Sequence, residues 1–217
     1  MAEAQNQKAG LTLRSVSIAL RERLLLSIDA HVAPCTVLTV MGSSGSGKST
    51  LLAFIGGFLD PAFEAAGTVL IDGDDVTGMS PQERHAGILF QDPLLFPHMS
   101  VGQNLLFAIP GAIRSHSERI SITKTMLAGM DLEGCFDHDP ARLSGGQKAR
   151  IALARTLVSQ PRALLLDEPF SKLDSALRQQ MRELVFGLAR ERSLPVVLVT
   201  HDPADAEAAG GQLVKID

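Results

Sequence analysis

The chain has neither tryptophan nor tyrosine, so no indole or phenol ring is available to stack on a flat ligand. Its two cysteines, Cys35 and Cys135, fit no metal-binding spacing; a disulfide is not expected between them, and both are read as core filler. No apolar run approaches the length of a membrane-spanning helix. Runs of basic residues are missing as well, and the net charge of −4 argues against a general nucleic-acid surface. Internal repeats, low-complexity tracts and long linkers are absent. Residues Met1 to Lys8 are polar and lack the apolar core of a secretion signal, so the chain is expected to stay in the cytosol.

What remains is a length of 217 residues and an apolar content of 45%, enough for one globular unit with an insertion. Within it, Gly42, Ser43, Ser44, Gly45, Ser46, Gly47, Lys48, Ser49 and Thr50 fit the phosphate-loop pattern G-x-x-x-x-G-K-[ST]. The loop follows Val37 to Met41, which reads as a buried strand, and precedes Leu51 to Ile55, which reads as a helix. That setting is the one the chemistry needs. Glycines at 42, 45 and 47 permit backbone shapes closed to other residues, so that successive N–H groups turn inward around phosphate oxygens at a helix N-terminus. Lys48 then reaches the β- and γ-phosphates, and the Ser49 hydroxyl ligates Mg²⁺. A plain Gly/Ser-rich turn is the competing reading.

Leu11 to Ile18 alternates with period two, and Leu24 to Val32 does so more loosely; both predict strands of an antiparallel edge region. Gly67 to Gly73 predicts another strand ending at a turn. Between Val101 and Asp139 the apolar spacing becomes helical, punctuated by Pro110-Gly111 and Gly134. Ala163 to Leu166 and Pro195 to Val199 are short continuous apolar runs, as expected of parallel strands covered on both faces. The first of these ends in Asp167-Glu168. A carboxylate at the carboxyl edge of a parallel strand faces the crevice of the phosphate loop, so Asp167 can hold Mg²⁺ and Glu168 can polarise an attacking water. Taken alone, Asp-Glu-Pro could equally be an acidic helix start.

The phosphate loop, Gln91 after Ile88-Leu89-Phe90, Leu143-Ser144-Gly145-Gly146-Gln147, the run 164–169, Ser171 to Asp174 and Thr200-His201-Asp202 stand in the order of an ATP-binding-cassette ATPase, which the chain resembles over nearly its whole length. By itself, the second glycine motif could be no more than a Ser-Gly-Gly helix cap. The resemblance implies an α/β fold: a P-loop NTPase core with a mostly parallel sheet, an antiparallel β subdomain and an inserted α-helical subdomain. Residues 1–217 would form a single ATPase domain, with 1–90 and 156–217 as the nucleotide-binding core and 91–155 as the helical subdomain.

The resemblance also implies a site shared between two copies facing head to tail in an ATP-dependent dimer. ATP on Lys48 of one copy would be covered by Ser144, Gly145, Gly146 and Gln147 of the other, and Asp174 would link the two sites. Glu168, His201, Gln91 and Lys48 would be the catalytic set, with His201 on the γ-phosphate and attacking water. Ser49, Gln91 and Asp167 would hold Mg²⁺. Where the family places an aromatic residue against adenine, Ile18, Ala19 and Leu20 stand here, and aliphatic contact is expected instead.

Residues 90–105 resemble the version found in bacterial importers, most closely their short YnjD-like group. They imply integral membrane permease subunits as partners, a solute-binding protein acting indirectly, and a cytoplasmic position on the inner face of the plasma membrane. Leu94, Leu95, Phe96 and Met99 are expected to be exposed and to receive a permease helix. Few residues follow His201, so an added C-terminal regulatory domain is not expected. A non-transport cassette ATPase acting on nucleic acid or ribosomes, and a P-loop kinase, are the rival readings.

Overall fold

In the computed structural model, which describes residues 9–43 and 45–216, the two short apolar runs become adjacent strands at the centre of a parallel sheet. These are β7 (Ala163–Asp167) and β8 (Val196–Thr200). With β3 (Val37–Gly42), β6 (Ala86–Leu89) and β9 (Gln212–Ile216) they form a sheet of order β6-β7-β8-β3-β9, all pairs parallel. The continuous apolar pattern follows from burial on both faces. Leu164, Leu166, Val196 and Leu198 point into one core; Ala163, Leu165, Val197 and Val199 point into another, as the two-residue period of a strand requires.

The second core lies between that sheet and an antiparallel one of order β2-β1-β4-β5. Its strands are β1 (Leu11–Leu20), β2 (Arg23–Val32), β4 (Phe63–Ile71) and β5 (Asp74–Asp75). Helix α1 (Lys48–Gly56) belongs to the same layer through Leu51, Leu52 and Ile55. A bulge interrupts β1: the register shifts between Leu13 and Val16, Ser15 takes φ 47°, and its N–H is held by Asp29 Oδ2 at 2.9 Å. The extra residue moves the alternation by one, so Leu11, Leu13, Val16 and Ile18 all face the core.

The first core is helical. Helices α2 (Val101–Ala108), α3 (His116–Ala128), α4 (Gly145–Val158) and α5 (Ser175–Glu191) contribute to it, and α6 (Pro203–Ala209) packs beside α5. Serines start three of these helices: Ser100 and Ser144 form capping boxes with Gln103 and Gln147, and Ser115 caps α3. Asn104 is fully buried, yet every contact it makes serves the loop before α2: Phe96 N–H donates to it, and its amide donates to the carbonyls of Phe96, Met99 and Ser100. Helix α4 runs without a break across the boundary expected at residue 155, so one rigid rod joins the helical region to the sheet.

Two expectations need correction. Cys135 is buried, but Cys35 is exposed: it sits at φ 62° in the turn 33–36 between β2 and β3, where the left-handed backbone turns its side chain outward. In the stretch expected to be exposed apolar, Leu94 is 57% exposed, but Leu95 packs against the helical core. Phe96 is enclosed by Phe107, 5.1 Å between ring centroids, and by the Arg155 guanidinium at 5.4 Å. Phe107 itself is 66% exposed. No helix among the described residues is long and apolar enough to cross a membrane.

Candidate functional site

Strands β7, β8 and β3 are neighbours in that order and run the same way, so the loops at their carboxyl ends emerge side by side, roughly 5 Å per strand apart. Each loop delivers one part of the site. From β3 comes the phosphate loop, from β7 the pair Asp167-Glu168, and from β8 His201.

The phosphate loop turns into α1 through Gly45 at φ 82° and Gly47 at φ 90°, a region closed to most side-chain-bearing residues. Gly47 is the N-cap of α1 and supplies no side-chain cap, which leaves the first N–H groups of the helix free of a capping oxygen. Lys48 is 5% exposed, and its ammonium donates to the carbonyls of Gly42 at 2.9 Å and Ser43 at 2.6 Å. Ser46 is buried and its hydroxyl has no hydrogen-bond partner among the described residues. Ser44 lies outside the described residues.

Across the crevice, Ser49 Oγ donates to Asp167 Oδ1 at 2.9 Å. Burial raises the Asp167 carboxyl above its ordinary value; the hydrogen bond from Ser49 opposes this, the Glu168 charge adds to it, and the Lys48 charge opposes it. A cation placed between Ser49 and Asp167 would favour the ionised carboxylate. Two hard oxygen atoms suit Mg²⁺, which keeps waters and substrate phosphates as its other ligands. No group of three or more His, Cys, Asp or Glu able to cage a metal occurs among the described residues.

Glu168 stands at φ 46°, a strained backbone for a residue with a Cβ, which costs on the order of 1–2 kcal/mol. The turn is held from both sides: Glu168 N–H donates to Val199 O at 2.9 Å, and its own carbonyl accepts from Ser171 Oγ at 2.9 Å. Its carboxylate is thereby presented to His201, whose Nδ1 lies 3.1 Å from Glu168 Oε2. The imidazole is 62% exposed and faces open solvent on its other side.

A cavity of about 410 Å³ is lined by Gly45, Gly47, Lys48, Ser49, Thr50 and Glu168 together with Leu20, Arg23, Leu25 and Phe63; Asp167 and His201 do not line it. Of the three aliphatic residues expected opposite a base, only Leu20 lines it. Ile18 is fully buried in the core because the bulge at Ser15 turns it inward, and Ala19 does not line the cavity. Phe63 is the aromatic residue that sequence reasoning missed. It is the cross-strand partner of Leu20, a fact that only the β1–β4 register reveals.

The remaining sequence-predicted residues lie elsewhere. Gln91 lines a smaller, apolar groove of about 170 Å³ with Phe90, Gly145, Ala149, Lys172 and Leu173. Asp92, its neighbour, is paired with Lys172. Ser144 to Gln147 do not line the phosphate cavity; they form the N-terminus of α4, where Ser144 Oγ accepts from Gln147 N–H at 3.2 Å and the Gln147 side chain accepts from Ser144 N–H at 3.0 Å. Gly146 packs closely against α5: a Cβ there would come within 2.8 Å of a Leu177 methyl, which would have to move. Asp174 is the exposed N-cap of α5, accepting from Leu177 N–H at 3.0 Å.

With that geometry in view, residues 25–171 match the family model described as ABC transporter. The chain is 46% identical over 199 residues to the uncharacterized ABC transporter ATP-binding protein YnjD of Escherichia coli, the alignment covering 91% of each chain. It is 43% identical over 186 residues to the thiamine import ATP-binding protein ThiQ of Photobacterium profundum, covering 85% of this chain and 76% of that one. A third relative, the Fe(3+) ions import ATP-binding protein FbpC of Pasteurella multocida, is 38% identical over 205 residues, but this chain spans only 58% of its length.

Proposed function

The chain belongs to the ABC transporter family and is an ATP-binding, ATP-hydrolysing protein; from that premise we propose that it energises a bacterial importer as one of a pair of subunits docked on membrane permeases. The convergence of Lys48, Ser49, Asp167, Glu168 and His201 at three neighbouring strand ends carries the reading.

In this proposal, the N–H groups of 42–50 and the Lys48 ammonium bind the phosphates of ATP. Ser49 and Asp167 hold Mg²⁺, with Gln91 joining them after moving out of its groove; the ion offsets phosphate charge when bound. Glu168 accepts a proton from the attacking water, and its strained turn fixes the carboxylate without reorganisation. His201 donates toward the γ-phosphate while Glu168 holds its Nδ1 side. Ser144, Gly145, Gly146 and Gln147 of a second copy close over the γ-phosphate, and Asp174 spans the pair. The relatives named for iron and thiamine import place this chain with importers; a solute-binding protein would complete the complex and choose the cargo.

Leu94 and Phe107 give the importer reading its test. Leu94 is held at φ 45° with its carbonyl bonded by Arg155 at 2.8 Å, and its side chain is exposed, as is Phe107, which packs on Phe96, two residues after Leu94. Replacing both by Glu should abolish co-purification with the permease subunits, because burying an unpaired charge costs several kcal/mol. ATP binding by the same variant should be unchanged. Normal assembly with the permease would remove the docking proposal while leaving the ATPase intact.

A further inference from the structure

Arg178 lies one turn into α5, outside the phosphate cavity, and its guanidinium bonds two loops at once. Nη2 donates to the carbonyl of Leu173 at 3.0 Å, and Nη1 donates to Asp202 Oδ2 at 3.0 Å. Leu173 is the residue before Asp174; Asp202 is the residue after His201. No other side chain among the described residues hydrogen-bonds both 171–174 and 201–205. We propose that Arg178 is a positioning residue that couples the segment leading to Asp174 to the loop carrying His201, so that a shift at the face of one subunit is delivered to the imidazole of the same subunit.

The surroundings separate this task from simple packing. The base of the His201 loop is already fixed without Arg178. Arg182, 8% exposed, donates through Nε to Asp205 Oδ1 at 2.7 Å; Thr200 Oγ1 donates to Asp205 Oδ2 at 2.6 Å and accepts from Asp202 N–H at 3.0 Å. That buried trio ties β8, α6 and α5 together and leaves His201 itself free of it. Asp202 Oδ2 also accepts from Arg182 Nη2 at 3.2 Å, so what Arg178 adds is the tie from that network to the segment before Asp174; its Nε is buried with no partner among the described residues. A guanidinium placed for stability alone would not be expected to leave a buried donor unpaired. A planar guanidinium can hold two separate acceptors at a fixed angle, which the flexible ammonium of Lys does less well.

The inference rests on the reading of His201 as a group that acts on ATP. Its test is a double-mutant cycle on the full chain: wild type, Arg178→Met, His201→Ala and both together, measured for ATP turnover, ATP affinity and thermal midpoint. Arg178→Met should lower kcat about tenfold with ATP affinity unchanged within about twofold. In the His201→Ala background the same change should cost less than about twofold more. Arg178→Lys should recover part of the rate, and it takes the place of Met in the cycle if Arg178→Met does not fold. Amide hydrogen exchange in nucleotide-free Arg178→Met should quicken in 171–174 and 201–205 together. Wild-type turnover in the variant, losses that multiply with His201→Ala, or loosening of one segment alone overturns the coupling. Wild-type turnover in His201→Ala removes the His201 reading and the coupling together; a slow His201→Ala beside an unaffected Arg178→Met removes the coupling alone.

Discussion

Two helix N-termini in this molecule carry glycine-rich motifs, and they are finished differently. Helix α1 begins at Gly47 with no side-chain cap, whereas α4 begins at Ser144 with a complete capping box. Both ends carry the partial positive charge of a helix dipole. The first has no side-chain cap among the described residues and lies beside a buried lysine, which is the arrangement the proposed phosphate binding uses. The second has its Ser144 and Gln147 N–H groups taken by the cap, which leaves the N–H groups of Gly145 and Gly146 and the Ser144 hydroxyl hydrogen to meet an anion. A bare terminus suits permanent binding; a self-capped one suits a cover that closes only when a phosphate is brought to it. In the paired arrangement proposed above, each subunit would hold ATP with its bare end and close over its partner's ATP with its capped end.

The largest effect should come from removing chemistry while leaving both termini intact. Glu168→Gln keeps the shape of the turn but supplies no base, and turnover should fall at least about a hundredfold with ATP binding retained. If the capped end closes on ATP, dimers of this variant should accumulate with ATP and Mg²⁺, as seen by sedimentation. Near-normal turnover would take Glu168 out of its role, and a variant that stays monomeric at high ATP would count against the shared site.

Altering the capped end alone should do less to ATP affinity and more to closure. Ser144→Ala removes the cap, worth about 1 kcal/mol of helix stability, together with a hydroxyl that could meet the γ-phosphate. Turnover should drop about tenfold while ATP affinity of the single subunit holds. Ser144→Arg should block closure altogether, yet mixing it with Lys48→Ala should restore some turnover, because a mixed dimer then has one site with Lys48 and Ser144 both intact. Absence of any recovery, with mixed dimers demonstrated, would argue that two sound sites are needed or that the sites are not shared.

The same contrast explains what could be read from sequence. The bare terminus was legible because its chemistry is local: nine consecutive residues, a strand before and a helix after. Parallel strands β7 and β8 were legible from continuous apolar runs, and Asp167 and Glu168 from their place at a strand end. What depended on register or on long-range packing was less legible. The bulge at Ser15 turned Ile18 inward; its mark in the sequence is the pair Arg14-Ser15, which breaks the alternation between Leu13 and Val16 and which a strict two-residue period overlooks. Leu95 and Leu94 look alike in sequence; only Asn104 and Arg155, bonding carbonyls and N–H groups of that loop from two helices, decide which is buried. Arg178 and Arg182 carried no signal in the sequence, since Asp202 and Asp205 approach them from another element.

The smallest expected effect concerns the wall of the phosphate cavity supplied by paired strands, where the sequence pointed to aliphatic residues and Phe63 stands opposite Leu20. A phenyl face on a base contributes about 1 kcal/mol, so Phe63→Ala should weaken ATP binding only about fivefold. Binding of inorganic triphosphate, which touches only the bare terminus, should be unchanged. Phe63→Trp would place the chain's lone tryptophan at this position, and its fluorescence should respond to ATP but not to triphosphate. Equal responses to both ligands would mean that the base lies elsewhere and that the signal follows the phosphate loop. Base selectivity resting on one ring and Leu20 should also be shallow, with GTP competing within about tenfold of ATP; a steep preference in calorimetric titration would require hydrogen bonds to the base edge that neither Leu20 nor Phe63 can make.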